Sequence, residues 1–403
     1  MIMPKEKYPF TRLRLSELFQ KELTKLNIKI FWIAQNSNSI NKDVKFIKGN
    51  NKYYLIKSFS NDMIIKNFFD RLYSLKKIYI LYKVLKKEKN IEILIANDGI
   101  IEGLICLLFK IIKKKPFCFY LSGLFYEIDK NEYKLNKDLK SFILFYFSYV
   151  KEPLYKIIIY NSDIFHPITS KMSSYFLKKN DKRLDILPLP LCPSSFFFKY
   201  KPDNNNNKTL LYVGKINYSR KLEILLDILN IIVNKKYLKD TKLIIIGKLS
   251  TKEIKDKLIL KAKKMNILMN LRIYDEVSIS EVPIIISKSN IGLSILPPIS
   301  AYKVSSPTKV VEYLSVGIPV VVNSEIDDQD FIVNKSKGGY SVKYDINLLA
   351  DKIYYLLKNP NKANEMGLKG KNWILKNRNY KILATKLKKK YKIKIENKGR
   401  NKL

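Results

Sequence analysis

Short apolar runs alternate with longer amphipathic stretches along nearly the whole chain. In the first half, IKIFWIA (28–34), IEILIAND (91–98), PFCFYLSG (116–123), DIFHPIT (163–169) and LDILPLP (184–190) read as strands. Helical periodicity fills 11–26, 62–88, 99–113 and 137–158 between them. Strands that are apolar on both faces suit a parallel sheet covered by helices. The helical stretch at 11–26 begins so early that the first strand of such a sheet is expected to be missing. Either MIMP is its stub or the strand lies upstream of the sequence.

Periodicity lapses over 191–208. CPSSFFFKYKPDNNNN carries two prolines and a run of asparagines, the composition of a linker. The pattern then restarts with TLLYVGK (209–215), a helix from Lys221 to about Tyr237, and five further strands: TKLIIIGK, LRIYDEV, IGLSILP, IPVVVN and GGYSVKY. Two repeating βα halves joined by a linker predict an α/β protein of two doubly wound, Rossmann-like domains facing a cleft. The expected division is 1–190, a linker at 191–208, 209–375, and a C-terminal helix with a basic, frayed tail over 376–403.

Composition narrows the function. The 403 residues are 46% hydrophobic and 28% charged, which excludes a disordered chain. The formal charge is +40, from 76 Lys and Arg against 36 Asp and Glu. Lysine dominates, beside abundant Ile, Asn and Tyr, a bias that AT-rich codons produce. Much of the charge therefore sits on solvated faces, yet its field draws anions: nucleic acid, anionic lipid or phosphorylated substrates. A single histidine excludes His-rich metal sites and leaves a Ser-His-Asp triad to His166 alone; as a lone strand residue it is expected to pack. Cys106, Cys118 and Cys192 are an odd, scattered set, read as reduced and buried in a cytosolic protein. No run is long and apolar enough to span a membrane.

Two segments carry the chemistry. SSPTKVVEYLSVGIPVVVNS (305–324) is a well-punctuated helix, with Ser306 as N-cap, Pro307 as first helical residue and Gly317 closing it. Its first amides, near Thr308 and Lys309, suit a phosphate. Glu312, one turn in, can accept two hydroxyls, as from a ribose; equally, it can pair with Lys309 on a surface helix. In YVGKINYSRK (212–221), Gly214 ends a strand and lets a ligand approach the backbone. Lys215, Arg220 and Lys221 then offer a cation cluster for a diphosphate. Asp98 ends a strand and reads equally as a site residue or a solvated loop residue. Asp328-Gln329-Asp330 has the form of a DxD metal motif but is expected to begin a helix, so no metal is expected.

In order and spacing, these segments resemble the nucleotide-binding domain of the retaining family-4 glycosyltransferases, which have the GT-B fold. The resemblance spans roughly 209–390. It includes Gly214, Lys215 and Lys221, Gly247, the turn from Tyr274 to Val277, SNIGLSILPP and PTKVVEYLSVGIPVVVNSE. NDGIIEG (97–103), FYLSGL (119–124) and SDIFHPITSKM (162–172) fit the first half more loosely. The resemblance implies Lys215 and Lys221 as diphosphate cations, Glu312 as the acid that holds the donor ribose, and Gly214, Arg220, Tyr274, Val277, Ser306, Thr308 and Lys309 around the donor. Asp98, Ser122 and Gly123 fall on the acceptor side. The family's first acid falls at Val304, its acceptor-loop histidine near Leu121 or Ser122, and its glycine-rich loop is absent.

The implied function is transfer of a sugar from a nucleotide-sugar donor to a glycan or lipid-linked glycan with retention, in cell-surface polysaccharide or lipopolysaccharide synthesis. The donor is a substrate, and no cofactor is expected. A same-face mechanism is implied, with the leaving phosphate taking the acceptor proton. Alternatives are a non-catalytic GT-B scaffold or a basic nucleic-acid-binding protein. The latter calls for a clustered basic face and a binding module, neither of which the sequence shows, so no nucleic-acid partner is expected. Residues 64–87 mix Lys66, Arg71, Lys76, Lys77, Lys83, Lys86 and Lys87 with Phe68, Phe69, Tyr73, Tyr79 and Tyr82. They predict peripheral docking on an anionic membrane at the cytoplasmic face, against the alternative of a plain core-facing helix.

Overall fold

The computed structural model describes all residues except 7, 11, 37–41, 58–74, 137–138, 178–183, 204–206 and 401–403. The chain forms two compact units. One comprises Met1–Leu124, Phe147–Pro190 and Tyr380–Leu403, the other Phe125–Tyr146 and Leu191–Asn379.

The first unit is built on eight strands: β1 (Ile2–Glu6), β2 (Phe31–Asn36), β3 (Val44–Lys48), β4 (Asn51–Ile56), β5 (Leu94–Asn97), β6 (Phe117–Leu121), β7 (Ile164–Pro167) and β8 (Asp185–Ile186). Their order is β3-β4-β2-β1-β5-β6-β7-β8. All neighbours are parallel except β3 and β4. The first strand is thus present and central. Ile2 pairs with Ile33 on one side and Ala96 on the other. Its signal is weak because Pro4 and Lys5 break the apolar run, and the register slips between Met3 and Lys5, where Pro4 has no N–H to give. The β3–β4 hairpin was also missed. Its sign is Gly49-Asn50 between two alternating runs, with Gly49 at φ 57° and Lys48 opposite Asn51.

The helical stretch at 11–26 is a π-helix, Arg14–Glu22, running into a short α turn, Leu23–Lys25, and it buries Leu15, Leu18, Phe19 and Leu23. Ile100–Lys113 and Leu139–Tyr160 are helices as the periodicity predicts. Of 62–88, the helix Lys76–Lys87 lies among the described residues; Lys66, Phe68, Phe69, Arg71 and Tyr73 do not. Of the C-terminal stretch expected to fray, the described residues up to Arg400 continue a helix. Helix Tyr380–Arg400 buries Leu383, Leu387 and Tyr391 in the first unit, so its apolar stripe belongs to the sheet that begins the chain.

The second unit holds β9 (Thr209–Val213), β10 (Lys242–Ile246), β11 (Leu271–Tyr274), β12 (Ile291–Ser294), β13 (Val320–Asn323) and β14 (Gly339–Val342). Its order is β11-β10-β9-β12-β13-β14, all parallel. Alternation along the strands divides the core. Leu210, Tyr212, Leu243, Ile245, Ile291, Leu293 and Val321 face helices Glu223–Asn230, Lys252–Lys264 and Ile346–Lys358. Leu211, Ile246, Val320 and Val322 pack with Val310, Val311 and Leu314 of helix Thr308–Val316. Burying these three helix side chains fixes that helix with a stabilisation on the order of 5 kcal/mol. The first part of the expected linker is packed: Phe197, in the 3-10 turn Ser195–Lys199, is fully buried in the same cluster. The aromatic triplet that breaks periodicity is core.

Candidate functional site

The strand order of the second unit reverses between β9 and β12, the point where ligands meet the carboxyl ends of parallel strands. β9 ends at Val213, whose N–H donates to the Tyr313 hydroxyl at 2.8 Å. Gly214 follows at φ 151° and donates to Ile246 O at 2.9 Å. A Cβ on Gly247 would stand 1.8 Å from Gly214 O, so these two turns approach backbone to backbone. Ile216 and Leu222 are buried and anchor the loop, which leaves Lys215 and Lys221 exposed to either side. Between them the turn Tyr218–Arg220 closes on Lys221 at φ 46°. The Arg220 guanidinium lies 4.5 Å from the Tyr302 ring centre, and the Tyr302 and Ser219 hydroxyls are 2.8 Å apart.

Helix Thr308–Val316 starts one residue later than expected. Pro307 is the N-cap, and no side chain caps the helix. Ser306 is turned away. Its hydroxyl donates to Asp328 at 2.6 Å and accepts from Arg378 at 3.0 Å and from Leu191 N at 3.3 Å. It braces the turn and leaves the helix start open to an anion.

Lys309 and Glu312 are both 8% exposed, so this is no surface helix. Among the described residues no ion pair closes between them, and no donor reaches the Glu312 carboxylate. Burial pushes the Glu312 carboxyl up to about 7, with Lys309 opposing. Burial, with Arg220 adding to it, holds Lys309 well below the usual lysine range, while Glu312 opposes. Tyr274 ends β11 half-exposed, and its carbonyl accepts from Gly247 N at 3.2 Å. Val277 is half-buried, with its side chain against the cluster that includes Val282 and Val310.

In the first unit, Asp98 is neither solvated nor free. It is 6% exposed at φ 59°, and its carboxylate accepts from Ser122 N at 2.6 Å. Arg12 lies 3.4 Å and Arg14 3.7 Å from the same carboxylate. Arg14 also donates to Asn97 at 2.8 Å and covers the Tyr120 ring at 3.7 Å. Glu6, 3.0 Å from Arg12, is raised by burial. Asp98 thus ties the ends of β1, β5 and β6 together, with Ser122 and half-exposed Gly123 on the turn after β6. Arg12, Arg14 and Glu6 were missed. The rarity of arginine was the available sign.

His166 is fully buried. Its Nδ1 is 2.8 Å from Leu187 O and its Nε2 is 3.2 Å from the Tyr391 hydroxyl. The three cysteines are buried, and none of them is in a disulfide. Asp327–Ser336 is a helix, as expected of the DxD-like segment. Asp328 is ion-paired to Arg378, while Asp330 accepts from Ser341 at 2.6 Å and Asn334 at 2.9 Å. Among the described residues no helix is long and apolar enough to cross a membrane.

Two units, each built on a largely parallel sheet flanked by helices, have the architecture of the GT-B fold. Residues 194–373 match the family of group 1 glycosyl transferases, which makes the chain a nucleotide-sugar-dependent glycosyltransferase by its second unit. No curated protein matches the sequence. Among solved structures, the chain is similar in fold to a sucrose-phosphate synthase from Thermosynechococcus elongatus, at 13% identity and TM-score 0.70, covering 97% of this chain and 98% of that one. An α,α-trehalose 6-phosphate synthase from Burkholderia multivorans also has TM-score 0.70, at 10% identity, covering 100% and 98%. HepE of Anabaena, solved with UDP and glucose, has TM-score 0.64 at 10% identity, covering 96% and 98%.

Proposed function

We propose that the enzyme transfers a glycosyl group with retention from a nucleoside-diphosphate sugar to a hydroxyl of a glycan or lipid-linked glycan, in cell-surface polysaccharide or lipopolysaccharide synthesis. The observation that carries the donor half is the reversal point of the second sheet. Exposed Lys215 and Lys221 stand after β9, and an uncapped helix start stands beside buried Glu312. Lys215, Lys221 and the amides of Thr308 and Lys309 hold the diphosphate, and Glu312 accepts the ribose hydroxyls. As the glycosyl–phosphate bond breaks, the two lysines stabilise the charge growing on the leaving phosphate, which takes the proton of the incoming hydroxyl on the same face. Asp328 and Asp330 are spent on protein partners, so the cations of the chain carry this role.

A lipid-linked acceptor is favoured by the outer face of helices Lys76–Lys87 and Ile100–Lys113. Tyr79, Tyr82, Leu108, Ile111 and Ile112 are exposed there beside Lys83, Lys86, Lys87 and Lys113. The Lys113 ammonium lies 5.6 Å from the Tyr82 ring centre and joins the two helices into one surface. Such a face suits an anionic membrane at the site where the acceptor is presented. The test is product analysis with UDP-, GDP- and ADP-sugars against lipid-linked glycans and sugar phosphates. Transfer to a lipid-linked glycan with the donor's anomeric configuration, seen by proton NMR, supports the proposal. Inverted product overturns retention, and transfer to sugar phosphates alone overturns the acceptor class.

A further inference from the structure

Lys309 combines burial with an unmet charge. Its ammonium has no hydrogen-bond partner among the described residues and lies 3.7 Å from the Tyr212 ring centre. A Cβ on Gly214 would be 3.1 Å from that nitrogen, so the ammonium sits beside the bare backbone of the β9 turn. The nearest carboxylate on the same helix, Glu312, forms no ion pair with it. Two further buried polar atoms in the adjoining loop, Asn217 Oδ1 and Arg220 Nε, are also without partners. Desolvating a cation without an anion is costly, and a cation–π contact offsets only part of it. Two unneutralised cations, an open helix start and a glycine turn converge on one spot, and what they lack is an anion.

We infer that the Lys309 side chain is itself a ligand of the donor's diphosphate, reaching it past Gly214, with Tyr212 holding the ammonium in place beforehand. This rests on the nucleotide-sugar reading above and adds a third cation to Lys215 and Lys221. The burial that disfavours charge on Lys309 in the free protein is relieved when a phosphate oxygen supplies the missing partner. Donor binding thereby recovers what the empty site gives up in stability.

The test compares wild type with Lys309→Met and Lys309→Gln. UDP, GDP and ADP, and their nucleosides, are the probes, read by calorimetry and thermal melting. In the variants the affinity for the nucleoside diphosphate that wild type binds should fall ~10–100-fold, the scale of a charge-assisted bond. Affinity for the nucleoside should be unchanged, and the ligand-free melting temperature should stay level or rise. Equal diphosphate affinity in wild type and variants overturns this inference alone. So does a ligand-free melting temperature lowered by more than ~5 °C in both variants, which makes Lys309 structural. Failure of wild type to bind any nucleoside diphosphate overturns the nucleotide-sugar reading itself.

Discussion

Arg378 and Asp328 form a buried ion pair, and both contact the hydroxyl of Ser306, the residue before the N-cap of helix Thr308–Val316. Arg378 also donates to Leu191 O at 3.0 Å, so one guanidinium fixes where the second unit begins and how its donor turn is held. Arg378→Leu leaves Asp328 buried and unpaired, a loss of about 3–5 kcal/mol. Thermal or denaturant unfolding should show it, with donor affinity falling alongside. A change under about 1 kcal/mol would place the pair among ordinary surface contacts.

The same pairing bears on metal dependence. Because Asp328 and Asp330 are engaged by Arg378, Ser341 and Asn334, glycosyl transfer should keep its full rate in EDTA. Activity lost in EDTA and restored by Mn²⁺ or Mg²⁺ would return these residues to a metal role.

Glu312 gives a pH signature with a definite sign. Its carboxyl is raised from 4.5 to about 7 by burial, so its stabilising contribution is present below 4.5 and lost as pH rises through about 7. The full loss is up to about 3 kcal/mol. Glu312→Gln should therefore be more stable than wild type at pH 8 and close to it at pH 5, yet bind the donor more weakly at pH 8. A variant less stable at pH 8 with donor affinity intact would make Glu312 structural.

His166 runs the other way. Burial lowers it from 6.5 to about 4, so its contribution is present above 6.5 and lost as pH falls through about 4. The advantage of wild type over His166→Gln should be largest at pH 7 and shrink towards pH 4, by up to about 3 kcal/mol. A pH-independent difference in denaturant unfolding would contradict the buried, neutral imidazole.

Membrane docking needs lysines that are free to act. Lys77 is fully buried in an ion pair with Glu102, and Lys76 pairs with Asp43. The informative variant is Lys83, Lys86, Lys87 and Lys113 changed together to Gln. Each basic residue near an anionic surface contributes about 1 kcal/mol. Wild type should sediment with anionic vesicles at low salt and be released at high salt, and the variant should stay in the supernatant. Equal sedimentation would assign the charge on this face to composition.

The second unit was legible because β9, β10 and β13 are nearly unbroken apolar runs and its motifs sit at strand ends. The first was harder to read. Pro4 and Lys5 disguised β1, and the hairpin around Gly49 was too short to stand out from its lysine-rich surroundings. Lys215 and Lys221 were visible from spacing, because a cation on a tight loop has nowhere to go but solvent. The burial of Lys309 and Glu312 was not. An i,i+3 Lys–Glu pair looks like a surface feature until the packing of Val310, Val311 and Leu314 is known. Ser306 showed the sequence of a cap but was claimed by Asp328, a contact 22 residues away that no local pattern encodes.

The most direct measurement is nucleotide release from UDP-, GDP- and ADP-sugars by wild type, Lys215→Ala and Lys221→Ala. Both lysines are exposed, so neither change should move the melting temperature. At least one donor should release its nucleotide with wild type. Each substitution should lower kcat/KM for that donor by about 2–4 kcal/mol of transition-state stabilisation, the scale of losing one charge-stabilising donor. Unchanged kcat/KM in both variants, or no release from any donor, would contradict the diphosphate site at the end of β9.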